Sequence, residues 1–297
     1  MSATTDTSAT ATARRDGYAA RDRRTRRTRG VTYVLLGLGL LITTAPFLWM
    51  GLSAFKTPQD LSASPPVWIP TDWTLANFSK LFDLLDVPRY FFNSTLVALI
   101  VTLCNLLFCS MLGYALAKLN FAGKKVIFGV VMGALMVPGN LMLMPQFVMV
   151  SKMNLLDTYA ALVLPSAAGA FGVFLMRQFM SAVPDELLEA ARVDGAREWY
   201  IFWRIVIPQV KPALATLSIF VFLGSWNNFL WPLIATNDVE KYTLPVALAT
   251  FATDPTKANG SNGVLMAGAF LVVLPVLAVF IVLQRYFTQS IATAGIK

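Results

Sequence analysis

Six stretches of this chain contain no aspartate, glutamate, lysine or arginine: about Val31–Phe55, Phe92–Ala117, Val126–Val150, Tyr159–Met176, Pro212–Ala235 and Val264–Leu283. Crossing roughly 30 Å of hydrocarbon takes about 20 apolar residues in a helix that rises ~1.5 Å per residue. All six meet that length, the fourth near its lower limit. Charged residues are 13% of the 297, against 56% hydrophobic; a soluble domain carries about 25% charged residues to keep its surface solvated. The apolar runs are continuous rather than alternating at every second residue, which selects helices over barrel strands. The expected fold class is all-α integral membrane with six transmembrane helices.

The formal charge of +8 would suit a nucleic-acid partner, but its distribution argues for a membrane. Of the 24 Lys and Arg, eighteen lie in 1–30, 118–125, 177–211 and 284–297, and six in 56–91, 151–158 and 236–263. The positive-inside rule places the first group, and with it both termini, in the cytoplasm of a multi-pass cell-membrane protein. Residues 1–30 are mostly Ala, Thr, Ser, Asp and Arg with little to bury, and read as a disordered basic tail ahead of one six-span domain, 31–297. Arg23-Arg24 and Arg26-Arg27 resemble a twin-arginine export signal. The apolar run behind them is too long for a signal core and lacks a clear cleavage site, so it reads as a retained first span.

Cys104 and Cys109 stand five residues apart on one helix and point to different faces, which suits packing rather than a disulfide. Histidine is absent from the sequence. That removes His-based metal sites, Ser–His–Asp triads and histidine proton relays.

Between the first two spans, Ser64 to Pro70 reads as a turn-rich strap along the interface, and Asn77 to Phe82 as a short amphipathic helix. The third span carries Met136-Val137-Pro138-Gly139-Asn140 and Met144-Pro145-Gln146. Two prolines, a glycine and two amides interrupt the helical hydrogen-bond ladder, which is tolerated only against protein or a water-filled cavity. Gly129 and Gly133 have the spacing of a close helix contact. The fifth span holds Gly224-Ser225-Trp226-Asn227-Asn228-Phe229-Leu230-Trp231-Pro232. Amides between tryptophans can hydrogen-bond hydroxyls while the rings stack on sugars; they equally suit interhelical bonds and an aromatic belt. Asn140, Gln146, Ser225, Trp226, Asn227 and Asn228 are therefore the candidate translocation-path residues. The polar segment 236–263, ending in Asn259-Gly260-Ser261-Asn262-Gly263, reads as an external docking loop.

The loop 177–211 predicts two short helices along the membrane surface. Pro184 suits the first helical position, Asp185 and Glu186 complement the macrodipole, and Gly195 is placed to cap the end. Leu187, Leu188, Ala190 and Ala191 make a narrow apolar face flanked by Glu189 and Arg192. A second helix, about Arg197–Ile207, presents Trp199, Phe202, Trp203 and Val206 before Pro208 stops it. Such a bracket serves equally as a docking element for another protein or as a plain interfacial helix pair.

Its spacing resembles the signature loop of ABC importer permeases: Glu-Ala-Ala, three residues, Gly, nine residues, Ile-x-Leu-Pro. Here Glu189-Ala190-Ala191 is followed by Gly195 and by Ile205-Val206-Ile207-Pro208, with only Ile207 replacing Leu. The strap from Ser64 to Pro70, the break from Met136 to Gly139, Asp194-Gly195-Ala196 and the run from Ser225 to Pro232 are similar to the carbohydrate-uptake branch, in particular the smaller permease subunit of the maltose type. The resemblance implies a type I ABC importer permease fold and a heterodimer with a second homologous permease. It also implies two cytoplasmic ABC ATPases and an extracytoplasmic solute-binding protein, in a lipid membrane and with no nucleic acid. By the same resemblance Glu189, Ala190, Ala191, Asp194, Gly195, Phe202 and Pro208 form the ATPase-coupling element. ATP and magnesium belong to the partner ATPase, so this chain has no cofactor and is not itself an enzyme. At the C-terminus Arg285-Tyr286-Phe287 and Gly295-Ile296-Lys297 fit the family pattern, while Ser290 replaces its usual glycine.

An ion-coupled secondary carrier is the alternative, as is an ABC importer of a non-sugar solute. Secondary carriers place ionisable groups or ion sites within their spans, and these spans hold no charge. An intramembrane enzyme would lack paired carboxylates or a Gly-x-Ser-x-Gly elbow. No Gly-x4-Gly-Lys-Ser/Thr loop exists for ATP; Gly123-Lys124-Lys125 lacks the upstream glycine and the hydroxyl.

Overall fold

A computed structural model describes residues 32–254 and 262–294, apart from the side chains beyond 282. The basic tail 1–30, residues Asn259 to Ser261 and the last three residues lie outside that range. Among the described residues every regular element is a helix. In chain order they are α1 (Thr32–Ala54), α2 (Pro58–Ser62), α3 (Ala76–Leu84), α4 (Val87–Lys118), α5 (Lys124–Met136), α6 (Leu143–Lys152), α7 (Tyr159–Val163), α8 (Ala170–Ser181), α9 (Asp185–Val193), α10 (Glu198–Tyr200), α11 (Ile207–Gln209), α12 (Lys211–Trp226), α13 (Leu230–Ala235), α14 (Leu244–Thr253) and α15 (Asn262–Ala294).

Three of these are unbroken, apolar and long enough to cross a membrane: α1, α4 and α15 as far as Val282. Three further apolar stretches are helix pairs, bent by 101° between Lys124–Met136 and Gly139–Lys152, by 43° between Tyr159–Ser166 and Ala170–Ser181, and by 81° between Glu198–Gln209 and Lys211–Trp226. The first bend falls at the Met136–Gly139 break expected from sequence. Val137 turns extended, a short 3-10 turn follows at Gly139–Met142, and Pro145 occupies the first turn of α6, where its missing N–H costs nothing.

Two spans expected to be continuous are not. Tyr159–Met176 is interrupted by a 3-10 turn containing Pro165 and resumes only at Ala170. Pro212–Ala235 stops at Trp226 and restarts at Leu230. Continuing that helix would press the Pro232 ring against the carbonyl of Asn228. Instead the Asn227 side chain donates to Leu223 O at 3.0 Å and closes the turn early.

α4 is the centre of the packing, against α8 and α12. Contact with α8 is close enough that a Cβ on Gly113 would sit 2.8 Å from Met176 Cβ, and one on Gly172 2.8 Å from Cys109 Sγ. Cys109 is thus a buried packing residue, and it and Cys104 are free thiols. At Gly129 and Gly133 no close helix contact forms among the described residues: a Cβ on either would meet none of their atoms within 4 Å.

The segment after α1 follows expectation in part. α3 supplies the short helix, and Asn77 at its start donates to Ala54 O and Lys56 O, capping α1. Trp68 and Ile69 of the strap, and Trp73 just after it, stay exposed. The 236–263 segment departs from a polar loop. Its middle is α14, an apolar helix whose Leu244, Val246, Ala247 and Phe251 are buried. Ten residues are too few to span, so a length criterion passes over it.

Candidate coupling loop and translocation cavity

The bracket is built locally. α9 starts at Asp185 with Pro184 as N-cap, one residue outside the first helical position. Its end is a Schellman motif: Gly195 has φ +81°, Gly195 N–H donates to Arg192 O at 3.0 Å, and Ala196 N–H donates to Ala191 O at 2.9 Å. Only glycine takes that backbone readily. The helix has two apolar faces rather than one. Leu188 is buried and Ala191 packs beside it. Leu187 and Val193 are 45% and 88% exposed, with exposed Glu189 and Ala190 between them. A groove of about 640 Å³ lies beside this end, lined by Ala191, Asp194, Gly195, Arg197, Tyr200 and Arg204 among others.

The second arm runs through α10, a π-helical stretch Ile201–Val206 and α11. Pro208 does not stop it; the arm continues to Gln209. Pro208 sits at the start of α11, where a missing N–H is tolerated. Phe202 is 3% exposed and its ring lies 5.4 Å from that of Tyr114. It is core packing rather than part of an outward docking face, whereas Trp199 and Trp203 are exposed.

Sequence reasoning passed over the residues that fix this bracket to α4. Glu198 accepts from Tyr114 Oη at 2.6 Å and from Arg192 Nε at 2.7 Å. Lys118, its side chain only 4% exposed, donates to Val183 O and pairs with Asp185 at 2.6 Å. The Arg192 guanidinium holds the Glu198 carboxyl below its ordinary range, and the Lys118 ammonium does the same for Asp185. Tyr114 and Lys118 reach this loop from a distant segment, so no local spacing announces them.

The breaks in three spans converge on a cavity of about 510 Å³ lined by Gly139, Asn140, Gln146, Ser166, Asn227, Asn228, Phe229 and Trp231, among others. Its lining contains no ionisable residue. Ser225 lines an adjoining space of about 270 Å³ together with Asn105, Ser166 and Asn228. Five of the six expected path residues are thus brought together from separate segments. Trp226 is not: it is 1% exposed, stacks on Phe222 and donates Nε1–H to Val272 O at 2.9 Å. Trp231 lines the cavity instead and is anchored by Nε1–H to Ala161 O. Asn105 braces the α7–α8 break. It donates to Ser166 O at 2.6 Å and accepts from Gly169 N–H at 3.0 Å, satisfying groups that the interrupted ladder leaves over.

Residues 109–293 match the family model described as the inner membrane component of binding-protein-dependent transport systems. The chain belongs to this family. It is 35% identical over 280 residues to the arabinooligosaccharides transport system permease protein AraQ of Halalkalibacterium halodurans, covering 92% of this chain and 99% of the relative. It is 34% identical to the lactose transport system permease protein LacG of Rhizobium radiobacter, covering 88% and 93%. A chain of a bacterial ABC transporter involved in import of the acidic polysaccharide alginate superposes with TM-score 0.81 at 24% identity, covering 89% and 98%. That match establishes the shared fold. As an inner membrane component of an ABC importer, the chain is a permease subunit and not itself an ATPase; hydrolysis belongs to a separate subunit.

Proposed function

We propose that this permease forms half of the translocation pathway of a sugar importer, paired with a second homologous permease, two cytoplasmic ATPases and an external solute-binding protein. The observation that carries the coupling half of this reading is the Gly195-capped helix α9. It turns Leu187, Glu189, Ala190 and Val193 away from the core, in the register of the importer signature. Both termini are cytoplasmic, and the six spans are α1, α4, the bent pairs Lys124–Met136 with Gly139–Lys152 and Tyr159–Ser166 with Ala170–Ser181, α12 with α13, and α15. Glu189, Ala190, Ala191, Asp194 and Gly195 meet the ATPase, with Pro208 stiffening the second arm. ATP binding draws the ATPases together, and the bracket passes that movement to the spans as a rigid-body rotation.

Solute passes through the cavity at Asn140, Gln146, Asn227 and Asn228, with Ser225 alongside. The side chains of Asn140, Gln146 and Asn228 make no hydrogen bond to the described residues, so their amides are available to donate to and accept from solute hydroxyls. The relatives named for arabinooligosaccharides and lactose support a saccharide as the solute. Purified with its partners in vesicles, the importer is expected to take up saccharide with MgATP and binding protein and without any ion gradient. Uptake driven by a proton or sodium gradient in the absence of ATP overturns the reading in favour of a secondary carrier.

A further inference from the structure

The bracket and the cavity are joined by one uninterrupted helix. α4 contributes Tyr114 and Lys118 to the bracket at its end, and Val101 and Asn105 to the wall of the inner space. The nine residues from Asn105 to Tyr114 span about 13.5 Å of helix. The close approach of Gly113 and Gly172 to their neighbours leaves α4 and α8 no room to slide past one another. Glu198 is the point at which this rod meets both arms of the bracket. One carboxylate oxygen takes the Tyr114 hydroxyl from α4, and the other takes Arg192 from α9. Glu198 itself opens the second arm. Phe202, one helical turn further on, packs its ring on Tyr114.

We propose that Glu198 is the positioning residue that locks the coupling helix to α4, so that movement imposed on α9 is delivered through Tyr114 to the cavity wall at Asn105. This rests on the reading that α9 docks on the ATPase. Glu198 touches neither ATP nor solute. It acts through geometry, as a charged acceptor holding two donors from different elements. Charge-assisted bonds of this type are shorter and stronger than neutral ones. Lys118 ties the start of α9 to the same helix through Val183 O and Asp185, a second fastening that does not involve the second arm.

The test uses the whole importer, with its ATPases and binding protein, in vesicles. A cysteine replacing Asn140 reports on the cavity through its rate of labelling by a membrane-impermeant maleimide, with Cys104→Ala removing the partly exposed native thiol. MgATP with vanadate is expected to change that rate in the otherwise native importer. In Glu198→Ala the ATPases should still co-purify, while the nucleotide-driven change in labelling shrinks about tenfold. Glu198→Gln, which keeps an acceptor for Tyr114 but loses the charge, should fall in between. A labelling response that stays in proportion to ATP hydrolysis overturns the lock. Should Glu198→Ala fail to assemble, Tyr114→Phe removes a single hydroxyl, and a response within twofold of the parent overturns the proposal equally. Gly195→Asp, prepared alongside, reports on docking alone. Retention of the ATPases by that variant overturns the docking reading, whereas an unchanged response in assembled Glu198 and Tyr114 variants overturns only the lock.

Discussion

The bracket and the cavity are both made by interrupting helices, but opposite chemistry holds the interruptions in place. At the bracket the turn after α9 is closed by its own backbone through Gly195, and an ion pair six residues long in sequence, Arg192 to Glu198, clamps it. Around the cavity three interruptions come from far-apart segments, and the lining carries amides, a hydroxyl and aromatic rings without an ion pair. Near the membrane surface, water takes up leftover N–H and C=O groups and charge is inexpensive. At membrane depth every leftover backbone group needs a partner inside the protein. Asn105 is that partner for the α7–α8 break, as a neutral amide able to donate and accept at once. On the proposed function, a force-receiving element can therefore be compact and local, while a solute path must be assembled by the whole fold.

The largest effect that would break this contrast lies in the bracket. Gly195→Asp puts a side chain on a residue at φ +81°, at a strain of about 1–2 kcal/mol, and adds a negative charge to the outward face. Saccharide uptake is expected to fall by about two orders of magnitude, with loss of co-purifying ATPase and normal membrane insertion. Uptake within twofold of the parent would mean that energy enters elsewhere. Asn105→Leu comes next and strikes the cavity side. It leaves Gly169 N–H and Ser166 O without their partner, at about 1–3 kcal/mol for each unsatisfied group. The importer should melt several degrees lower and transport about tenfold more slowly, with its ATPases retained. Loss of ATPase binding in this variant would show that the two regions are not separable.

The same difference explains what could be read before the structure. Gly195, Pro184 and the acids of α9 act on their immediate neighbours, so a linear pattern carries them, and the helix is capped where the spacing places it. The Met136–Gly139 break is legible for the same reason, because Pro138 and Gly139 act on their own turn. The ties of Tyr114 to Glu198 and of Lys118 to Val183 and Asp185 are silent in sequence because they join residues 65 to 84 positions apart. Trp226 looks like a path residue beside two asparagines, yet successive helical positions are rotated by about 100°. The chain also leaves the helix just after it, so Trp226 and Asn228 part company. α14 escapes because apolarity alone, without spanning length, does not separate a packed short helix from a loop.

That last separation sets up the smallest and sharpest comparison, between Asn228→Ala and Trp226→Phe. Asn228 lines both spaces and makes no side-chain hydrogen bond to the described residues, so its removal leaves no buried partner stranded. Losing one solute hydrogen bond costs about 0.5–1.5 kcal/mol. The KM for saccharide uptake should therefore rise about threefold to tenfold, with the melting temperature unchanged. Trp226→Phe keeps an aromatic ring against Phe222 but strips the donor from Val272 O, a loss of similar size that falls on folding rather than on solute. Its melting temperature should drop by a few degrees while KM stays within twofold. If instead Trp226→Phe raises KM and spares stability, the tryptophan faces the solute after all. The α12–α13 break would then have to lie elsewhere in the working importer. Should both variants move both quantities, the cavity wall and the core behind it form one cooperative unit, and the division between path and packing at Trp226 disappears.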